Sequence, residues 1–289
     1  MKLSVKKRYR NILSAILSVS VLLGAFQGKN VCADNSAGTK PVLSYEGERT
    51  MSFNDGWAFC LEPSGSPEEV GYDDSEWLDV TLPYDWSIYR DFESPIGSGV
   101  GSLRGGNGWY RKSFVLPQNL SGKRINIDFD GVYQDSSIYV NGQPVGNYPN
   151  GYVPFSFDIT GYVICDGKTE NVIAVSVTNV TDEKNSGYTS RWYSGSGIYR
   201  DVYMTVTEPL HVEKYGVVVT TPDLEYEYPS GKVTVDLSTN IVNETESAAQ
   251  ISVRNTVMNY YGVLPYSGAE PAVSGVQTVE AGDTLSVSQ

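Results

Sequence analysis

Short runs of β-branched and aromatic residues alternate with Gly, Asn, Asp and Pro along most of the chain beyond residue 45. Runs of this length and composition, bounded by turn-forming residues, are typical of β-strands. Outside the first 33 residues, no stretch of a dozen residues keeps the periodicity of an amphipathic helix. The pattern predicts an all-β protein, whose clearest strands are Trp109–Leu116, Arg124–Phe129, Ser136–Val140, Tyr152–Asp158, Asn171–Val177 and Ile198–Thr207.

One β-hairpin is almost fully specified by the sequence. The run Ile138–Val140 is followed by Asn141 and Gly142, and then by Gln143–Val145. Asn-Gly tolerates the positive φ of a two-residue type I′ turn, so the flanking runs are expected to pair. Regular strands with turns between them favour two antiparallel sheets packed as a sandwich or jelly roll. Alternate residues then fill the core, and the residues expected there are Trp109, Ile125, Ile127, Phe129, Ile138 and Val175.

The strand pattern divides the chain into two folded units behind a leader. Residues 34–45 are predicted to be a linker, and residues 46–208 to form a jelly-roll domain. An immunoglobulin-like sandwich usually needs roughly 100 residues, and only 80 follow Pro209. We therefore expect residues 209–289 to be an incomplete immunoglobulin-like domain. Its predicted opening strands are Leu210–Thr220, Lys232–Asn240 and Ala249–Met258, and its last is Thr284–Val287.

The first 33 residues have the pattern of an export signal. A basic start that includes Lys6, Lys7 and Arg8 precedes the apolar run Ile12–Phe26. This order, ending at a small residue, is typical of a secretory signal peptide and predicts cleavage after Ala33. The apolar run is too short and too rich in Ser for a permanent membrane anchor. We therefore expect a secreted protein without a membrane partner.

The charge of the chain narrows the choice of partners further. Removing residues 1–33 takes away six basic residues and no acidic one, so the formal net charge changes from −13 to −19. A surface this acidic repels phosphate backbones and anionic lipids. Nucleic acid is therefore excluded as a partner, and a neutral ligand fits better.

Few residues are available for nucleophilic or metal chemistry. Cys60 and Cys165 remain after cleavage, and we expect two unpaired, buried thiols, with a disulfide as the alternative. His211 is the sole histidine, and no nucleophile motif or ligand spacing surrounds it. We expect a structural role for His211, and neither a metal nor a cofactor for the chain.

Leu82–Ile88 has the sequence LPYDWSI, and five further segments follow it along the chain in a fixed order. This ordered set resembles glycoside hydrolase family 2 and in particular its β-galactosidases, in which the first segment reads Leu-Pro-His-Asp-Trp-Ser-Ile. Tyr84 replaces the usual histidine, so no role of that histidine is carried over. The remaining segments are Trp109–Lys112, Phe129–Tyr133, Tyr139–Gly142, Gly151–Thr160 and Arg191–Val202.

The resemblance implies a jelly-roll domain, an immunoglobulin-like domain and then a catalytic (β/α)8 barrel. Retaining glycosidases use two carboxyl groups about 5–5.5 Å apart, and in this family both belong to the barrel. A barrel needs about 250 residues of its own, so we expect no catalytic residue in this chain. The adjacent pair Glu68 and Glu69 is not a candidate, because neighbours on a strand point to opposite faces.

The implied function is that of the N-terminal, non-catalytic part of a secreted β-galactosidase acting on terminal β-galactosides of oligo- or polysaccharides. Its expected partners are the carbohydrate substrate and a catalytic barrel that this chain lacks. Two alternatives stay open. One is a family 2 β-glucuronidase or β-mannosidase, and the other is a stand-alone carbohydrate-binding protein.

Four residues are candidates for contact with the sugar. Asp85 and Trp86 follow Pro83 at a loop, where a carboxylate and an indole face suit a sugar, or else fix the loop and fill the core. Asn150 aligns with a substrate-lining position of some family members, although Asn-Gly also suits a turn. Arg191 precedes a glycine-rich segment and binds either the sugar and barrel or a structural partner.

Overall fold

The computed structural model describes residues 41–91, 105–179, 195–231, 233–258 and 270–289. The predicted signal peptide, most of the linker and the candidate Arg191 lie outside the described residues.

The largest sheet has six antiparallel strands in the order β3-β2-β5-β11-β8-β9. Its central strands β5 and β11 pair over ten residues each, and together they form the middle of this layer of the sandwich. The strands are β2 (Trp57–Leu61), β3 (Leu78–Val80), β5 (Gly106–Val115), β8 (Ser136–Val140), β9 (Gln143–Tyr148) and β11 (Glu170–Asn179).

A four-stranded antiparallel sheet with the order β1-β13-β6-β10 forms the opposing layer. Its strands are β1 (Thr50–Ser52), β6 (Arg124–Phe129), β10 (Phe155–Asp158) and β13 (Val202–Thr207). A small third sheet has the order β4-β12-β7, and its strands are β4 (Tyr84–Asp85), β7 (Val132–Tyr133) and β12 (Gly197–Ile198).

One continuous core lies between the layers, and it confirms most of the predicted strand faces. Ile125, Ile127 and Phe129 point inward from β6, and Ile138 and Val175 point inward from the opposing sheet. The predicted turn is also confirmed, since Asn141 and Gly142 both have positive φ. The all-β sandwich class predicted from the sequence is therefore confirmed.

The prediction that Trp109 is buried is wrong. Its neighbours Gly108 and Tyr110 occupy the inner face of β5, so Trp109 points to the outer face, where it is half-buried. There its ring stacks on Tyr139, with 5.9 Å between the ring centroids. Side chains on a strand alternate between faces, so only one of two adjacent aromatic residues enters the core.

Residues 210–289 form smaller sheets, β14-β15-β20, β16-β19 and β17-β18. Ile241, Val253, Val279 and Val287 make a small core of their own. A single helical turn, α1 (Leu224–Glu227), follows the first strand. The strands are β14 (Leu210–Thr220), β15 (Asp236–Asn243), β16 (Ala249–Ile251), β17 (Arg254–Asn255), β18 (Ala272–Val273), β19 (Gln277–Val279) and β20 (Thr284–Ser288).

Cys60, Cys165 and His211 lie in surroundings that fit a structural role. Cys60 and Cys165 are unpaired, as expected, but both are half-buried rather than fully buried. Burial raises the pKa of each thiol, which keeps both in the less reactive protonated form. The Nδ1 atom of His211 lies 2.8 Å from the carbonyl oxygen of Glu208. Across the described part of the chain, no helix is long and apolar enough to cross a membrane.

Candidate functional site

The three-stranded sheet joins segments that are far apart in the sequence. Gly197 of the central strand β12 pairs with Asp85 on one side and with Tyr133 on the other. Strand β4 ends the LPYDWSI segment, and β12 lies in the segment that closes the family resemblance. The sheet therefore places these two motifs side by side at one end of the sandwich.

Asp85 holds the loops of this sheet in place. Its Oδ1 atom accepts hydrogen bonds from the backbone N–H groups of Ser87 and Ser196, each at 3.0 Å. The first of these bonds caps the 3₁₀ turn Trp86–Tyr89. The second crosses to the segment before β12, which is 111 residues away in the sequence. Asp85 thus fixes two backbone segments relative to each other.

Trp86 belongs to the core and does not present a face to solvent. Its side chain is 2% exposed, and its ring stacks on Phe59 with 5.5 Å between centroids. Its other neighbours are the backbones of Gly108 and Gly197, which leave no room for a Cβ atom. The indole Nε1 is buried and has no hydrogen-bond partner among the described residues. The enclosed ring fits the alternative in which this indole fills the core, and its contact with a sugar stays a prediction.

A buried polar network connects the 3₁₀ turn to the end of β11. The Ser87 hydroxyl donates to the Ser196 hydroxyl at 2.5 Å. The Asn179 Nδ2 donates to that same hydroxyl at 2.7 Å and to the carbonyl oxygen of Gly195 at 3.0 Å. All three side chains are buried. Sequence reasoning missed this network, because its members are distant along the chain and belong to no short motif.

Asn150 forms a turn next to the same sheet. Its Oδ1 accepts from the backbone N–H groups of Tyr152 at 2.8 Å and Val153 at 3.1 Å. The next residue, Gly151, packs against the ring of Tyr133 so closely that a Cβ atom would lie 2.2 Å from it. The turn role foreseen for Asn150 is thus present. Within the described residues its Nδ2 has no partner, so the amide retains a donor for a ligand.

Two exposed tyrosines flank this end of the sandwich. Tyr89 is 69% exposed and stacks on Tyr84 with 5.2 Å between centroids. Tyr152 is 53% exposed and contacts Tyr133 edge-on, with 5.3 Å between centroids. Burial, and to a smaller degree the nearby Tyr89, raises the pKa of Tyr84, so its phenol stays neutral. We call these exposed residues beside strands β4 and β7, namely Tyr89, Asn150 and Tyr152, the tyrosine edge.

The tyrosine edge offers groups that can bind a ligand. Phenol hydroxyls, an amide donor and aromatic faces suit a polyol ligand. Over the described ranges, no group of three or more His, Cys, Asp or Glu residues is placed to hold a metal ion. Sequence reasoning missed Tyr89 and Tyr152, although both adjoin residues that it did select.

The sequence profile described as "Glycosyl hydrolases family 2, sugar binding domain" matches residues 51–209. This match covers more than half of the chain and includes every strand from β2 to β13. The chain belongs to glycoside hydrolase family 2. The resemblance read from the ordered segments is thereby confirmed.

Individual family members agree with this assignment. A β-galactosidase of Bacteroides ovatus, BoGH2A, is 39% identical over 212 residues, which is 73% of this chain and 24% of that protein. A putative β-glucuronidase of Formosa agariphila is 35% identical over 187 residues, covering 64% of this chain and 17% of its own. The crystal structure of a family 2 member from Bacteroides cellulosilyticus superposes with a TM-score of 0.69 at 30% identity, over 84% of this chain and 31% of its own. The chain thus spans about a quarter of the length of these relatives.

Proposed function

We propose that this chain is the N-terminal, non-catalytic part of an exported retaining glycoside hydrolase that acts on terminal β-galactosides. The observation that carries the proposal is the 39% identity to a β-galactosidase over 212 residues, within a chain that belongs to the family. Retaining hydrolysis needs a nucleophile and an acid/base about 5–5.5 Å apart. The proposal assigns both to the part of the relatives that this chain does not match.

The role proposed for this chain is to form one wall of the sugar subsite. The tyrosine edge supplies two exposed rings and the Asn150 amide, while Asp85 and the buried network hold their backbone in position. Fixed side chains of this kind bind a sugar without first having to be ordered, which reduces the entropic cost of association. Arg191, also a candidate, stays part of this proposal on the basis of the sequence alone.

A second candidate substrate is a β-glucuronide. Relatives from Formosa agariphila named as β-glucuronidases match the chain at 35% and 27% identity. The two candidates differ in the charge of the sugar, since a glucuronide carries a carboxylate and a galactoside does not. Side chains that pair with that carboxylate would decide between them.

The test begins with the coding region that surrounds this chain. Expression of the complete encoded protein should give release of nitrophenol from nitrophenyl β-galactoside, with lower activity on the β-glucuronide and the β-mannoside. In that protein, Tyr89→Ala should raise KM several-fold more than it lowers kcat, because it removes a binding surface. A gene product without hydrolase activity would favour the stand-alone carbohydrate-binding protein.

Export is a further part of the proposal. It is supported by the basic start and the apolar run Ile12–Phe26 of the leader. Mass spectrometry of protein recovered from the culture medium or periplasm should find an N-terminus at Asp34. A cytosolic protein with an intact Met1 would contradict it.

A further inference from the structure

A cleft lies on the outer face of the four-stranded sheet, which is the face that points away from the sandwich core. Its volume is about 430 Å³. Asp128, Tyr203 and Thr205 of this sheet form its floor, Arg49 forms one rim, and Lys214 and Tyr215 of β14 form the other rim. None of these residues belongs to the tyrosine edge.

The floor of the cleft is preorganised. Ile127 and Phe129 point into the core, so Asp128 between them points out of the sheet. Its carboxylate is almost fully buried, accepts from the hydroxyls of Ser156 and Thr205, and pairs with Lys214 at 2.6 Å. Charge-assisted hydrogen bonds of this kind fix the orientation of every group that takes part.

The rim is formed by a bulge in β14. Val212 pairs with Ile241 and Val217 pairs with Thr239, so the four residues 213–216 lie opposite Asn240 alone. The extra residues turn Lys214 down to Asp128 and leave the Tyr215 ring at the rim, 81% exposed. Tyr215 has φ +59°, a conformation that costs about 1 kcal/mol or more for a residue other than glycine. Bulges commonly re-aim side chains next to binding sites.

The charges around the cleft favour a neutral ligand. Arg49 and Lys214 oppose Asp128, Asp130 and Glu213, so the lining has no excess of positive charge to attract a phosphate or sulfate. Arg49 also donates to the carbonyl oxygen of Val212 at 2.8 Å, which uses part of its hydrogen-bonding capacity. The Thr205 and Tyr203 hydroxyls already donate to Asp128 and Asp201, so their oxygens remain as acceptors, and the other N–H groups of Arg49 remain as donors for hydroxyl-rich ligands.

We propose that this cleft binds a neutral oligosaccharide, with the Tyr215 ring as its aromatic platform and Thr205, Tyr203 and Arg49 as hydrogen-bonding partners. The volume lies within the range of about 300–1,000 Å³ that is usual for small-ligand sites. The site goes beyond the proposed function, because it needs neither hydrolysis nor the tyrosine edge.

The test is a titration of the purified chain with galactobiose and with cellobiose, in which ligand-observed NMR monitors binding. We expect saturable binding of at least one disaccharide with a Kd near the millimolar range. Tyr215→Asn removes the ring while keeping a side chain that accepts positive φ, and it should weaken binding at least tenfold. Tyr226→Asn is the matched control, since Tyr226 is 80% exposed and does not line the cleft; this change should leave binding unaltered.

A second variant fills the cleft and leaves Tyr215, Thr205, Tyr203 and Arg49 unchanged. Thr50 is exposed on the cleft wall, and Thr50→Trp should fill the space and reduce binding by a similar factor. The proposal is overturned if neither disaccharide binds, or if Tyr215→Asn and Thr50→Trp both bind as tightly as the unaltered chain. It is also overturned if Tyr89→Ala, and not Tyr215→Asn, abolishes binding, because the sugar would then occupy the tyrosine edge. Absence of hydrolysis by the complete gene product would refute the proposed function alone.

Discussion

Replacing Gly197 with alanine tests how much of the stability of the candidate site depends on close packing, beyond the cost of the backbone conformation. Gly197 lies in the centre of the three-stranded sheet with φ +102°. An added Cβ atom would lie 2.0 Å from the Tyr110 hydroxyl oxygen and 2.7 Å from the Trp86 ring. Neither neighbour is free to move, since both are buried and the Tyr110 hydroxyl donates to the Tyr84 carbonyl oxygen at 2.7 Å.

The expected cost combines two terms. Inserting a methyl group into a filled core costs about 1–3 kcal/mol, and holding a non-glycine residue at this φ costs roughly 1–2 kcal/mol more. Gly197→Ala should therefore lower the free energy of unfolding by about 2–5 kcal/mol, a large part of the roughly 5–15 kcal/mol that is typical of a folded protein. Gly122→Ala is the matched control, because Gly122 has φ +82° and nothing within 4 Å of the added atom. It should show only the backbone term.

Urea unfolding followed by tryptophan fluorescence measures both variants, and the signal reports on the jelly-roll transition because all five tryptophans lie within residues 46–208. A third variant, Gly108→Ala, tests packing without the positive φ, because its Cβ atom would lie 2.5 Å from the Trp86 ring. If Gly197→Ala unfolds within about 0.5 kcal/mol of Gly122→Ala, the close packing of Trp86 against this sheet is wrong.

Three further predictions concern charge and activity. Burial lowers the pKa of Lys112 from 10.5 to about 8, so between these pH values the unfolded chain binds more protons and stability rises with pH. The free energy of unfolding of the unaltered chain, measured in urea titrations relative to Lys112→Met, should therefore rise by about 3 kcal/mol from pH 8 to 10.5. A difference between the two proteins that does not change with pH would contradict this. Asp85→Ala should cost about 2–3 kcal/mol in the same assay through the lost acceptor for Ser87 and Ser196, whereas Asp79→Ala on the surface should cost less than about 0.5 kcal/mol. The purified chain should release no nitrophenol from a β-galactoside; turnover that follows the chain through purification, against a heat-treated control, would place catalytic residues within it.

The sequence was most informative where alternation and turn chemistry agree. The bounds of Arg124–Phe129 and Ser136–Val140 match the structure to the residue, and the Asn-Gly turn after the second strand has the predicted positive φ. Each of these strands places alternate apolar residues on one face and ends at a turn-forming residue. Local pattern and tertiary packing then require the same structure, and such agreement makes sequence reasoning reliable.

Trp109 shows why face assignment fails between adjacent aromatic residues. Trp109 and Tyr110 are both large, and a period of two residues does not say which of them points inward. The decision is made by neighbouring strands: Tyr110 meets Phe59 and the Tyr84 carbonyl oxygen inside the sandwich. These partners lie more than 20 residues away, so no local signal marks them.

The sequence identified the segments that form the candidate site, but it did not show which of their side chains are buried and which are exposed. Asp85 and Trp86, which the LPYDWSI segment makes conspicuous, are occupied by backbone hydrogen bonds and by the core. Tyr89 follows that segment by one residue and is the side chain that reaches solvent. The motif therefore specifies the buried support of this region, and the exposed side chain lies just beyond the motif.

This arrangement has a consequence for how the site tolerates substitution. A change at Asp85 or Trp86 acts on Tyr89 through the 3₁₀ turn Trp86–Tyr89, because Asp85 caps this turn and the buried Trp86 begins it. A change at Tyr89 or Tyr152 alters the surface directly and leaves the core intact, since both rings are mostly exposed. Under the proposed function, the exposed tyrosines are the positions at which sugar specificity would be varied, because substitutions there cost little stability. Substitutions in the support formed by Asp85, Trp86 and the buried network are less well tolerated, because under the proposed function they would disturb core packing and the position of the ligand together.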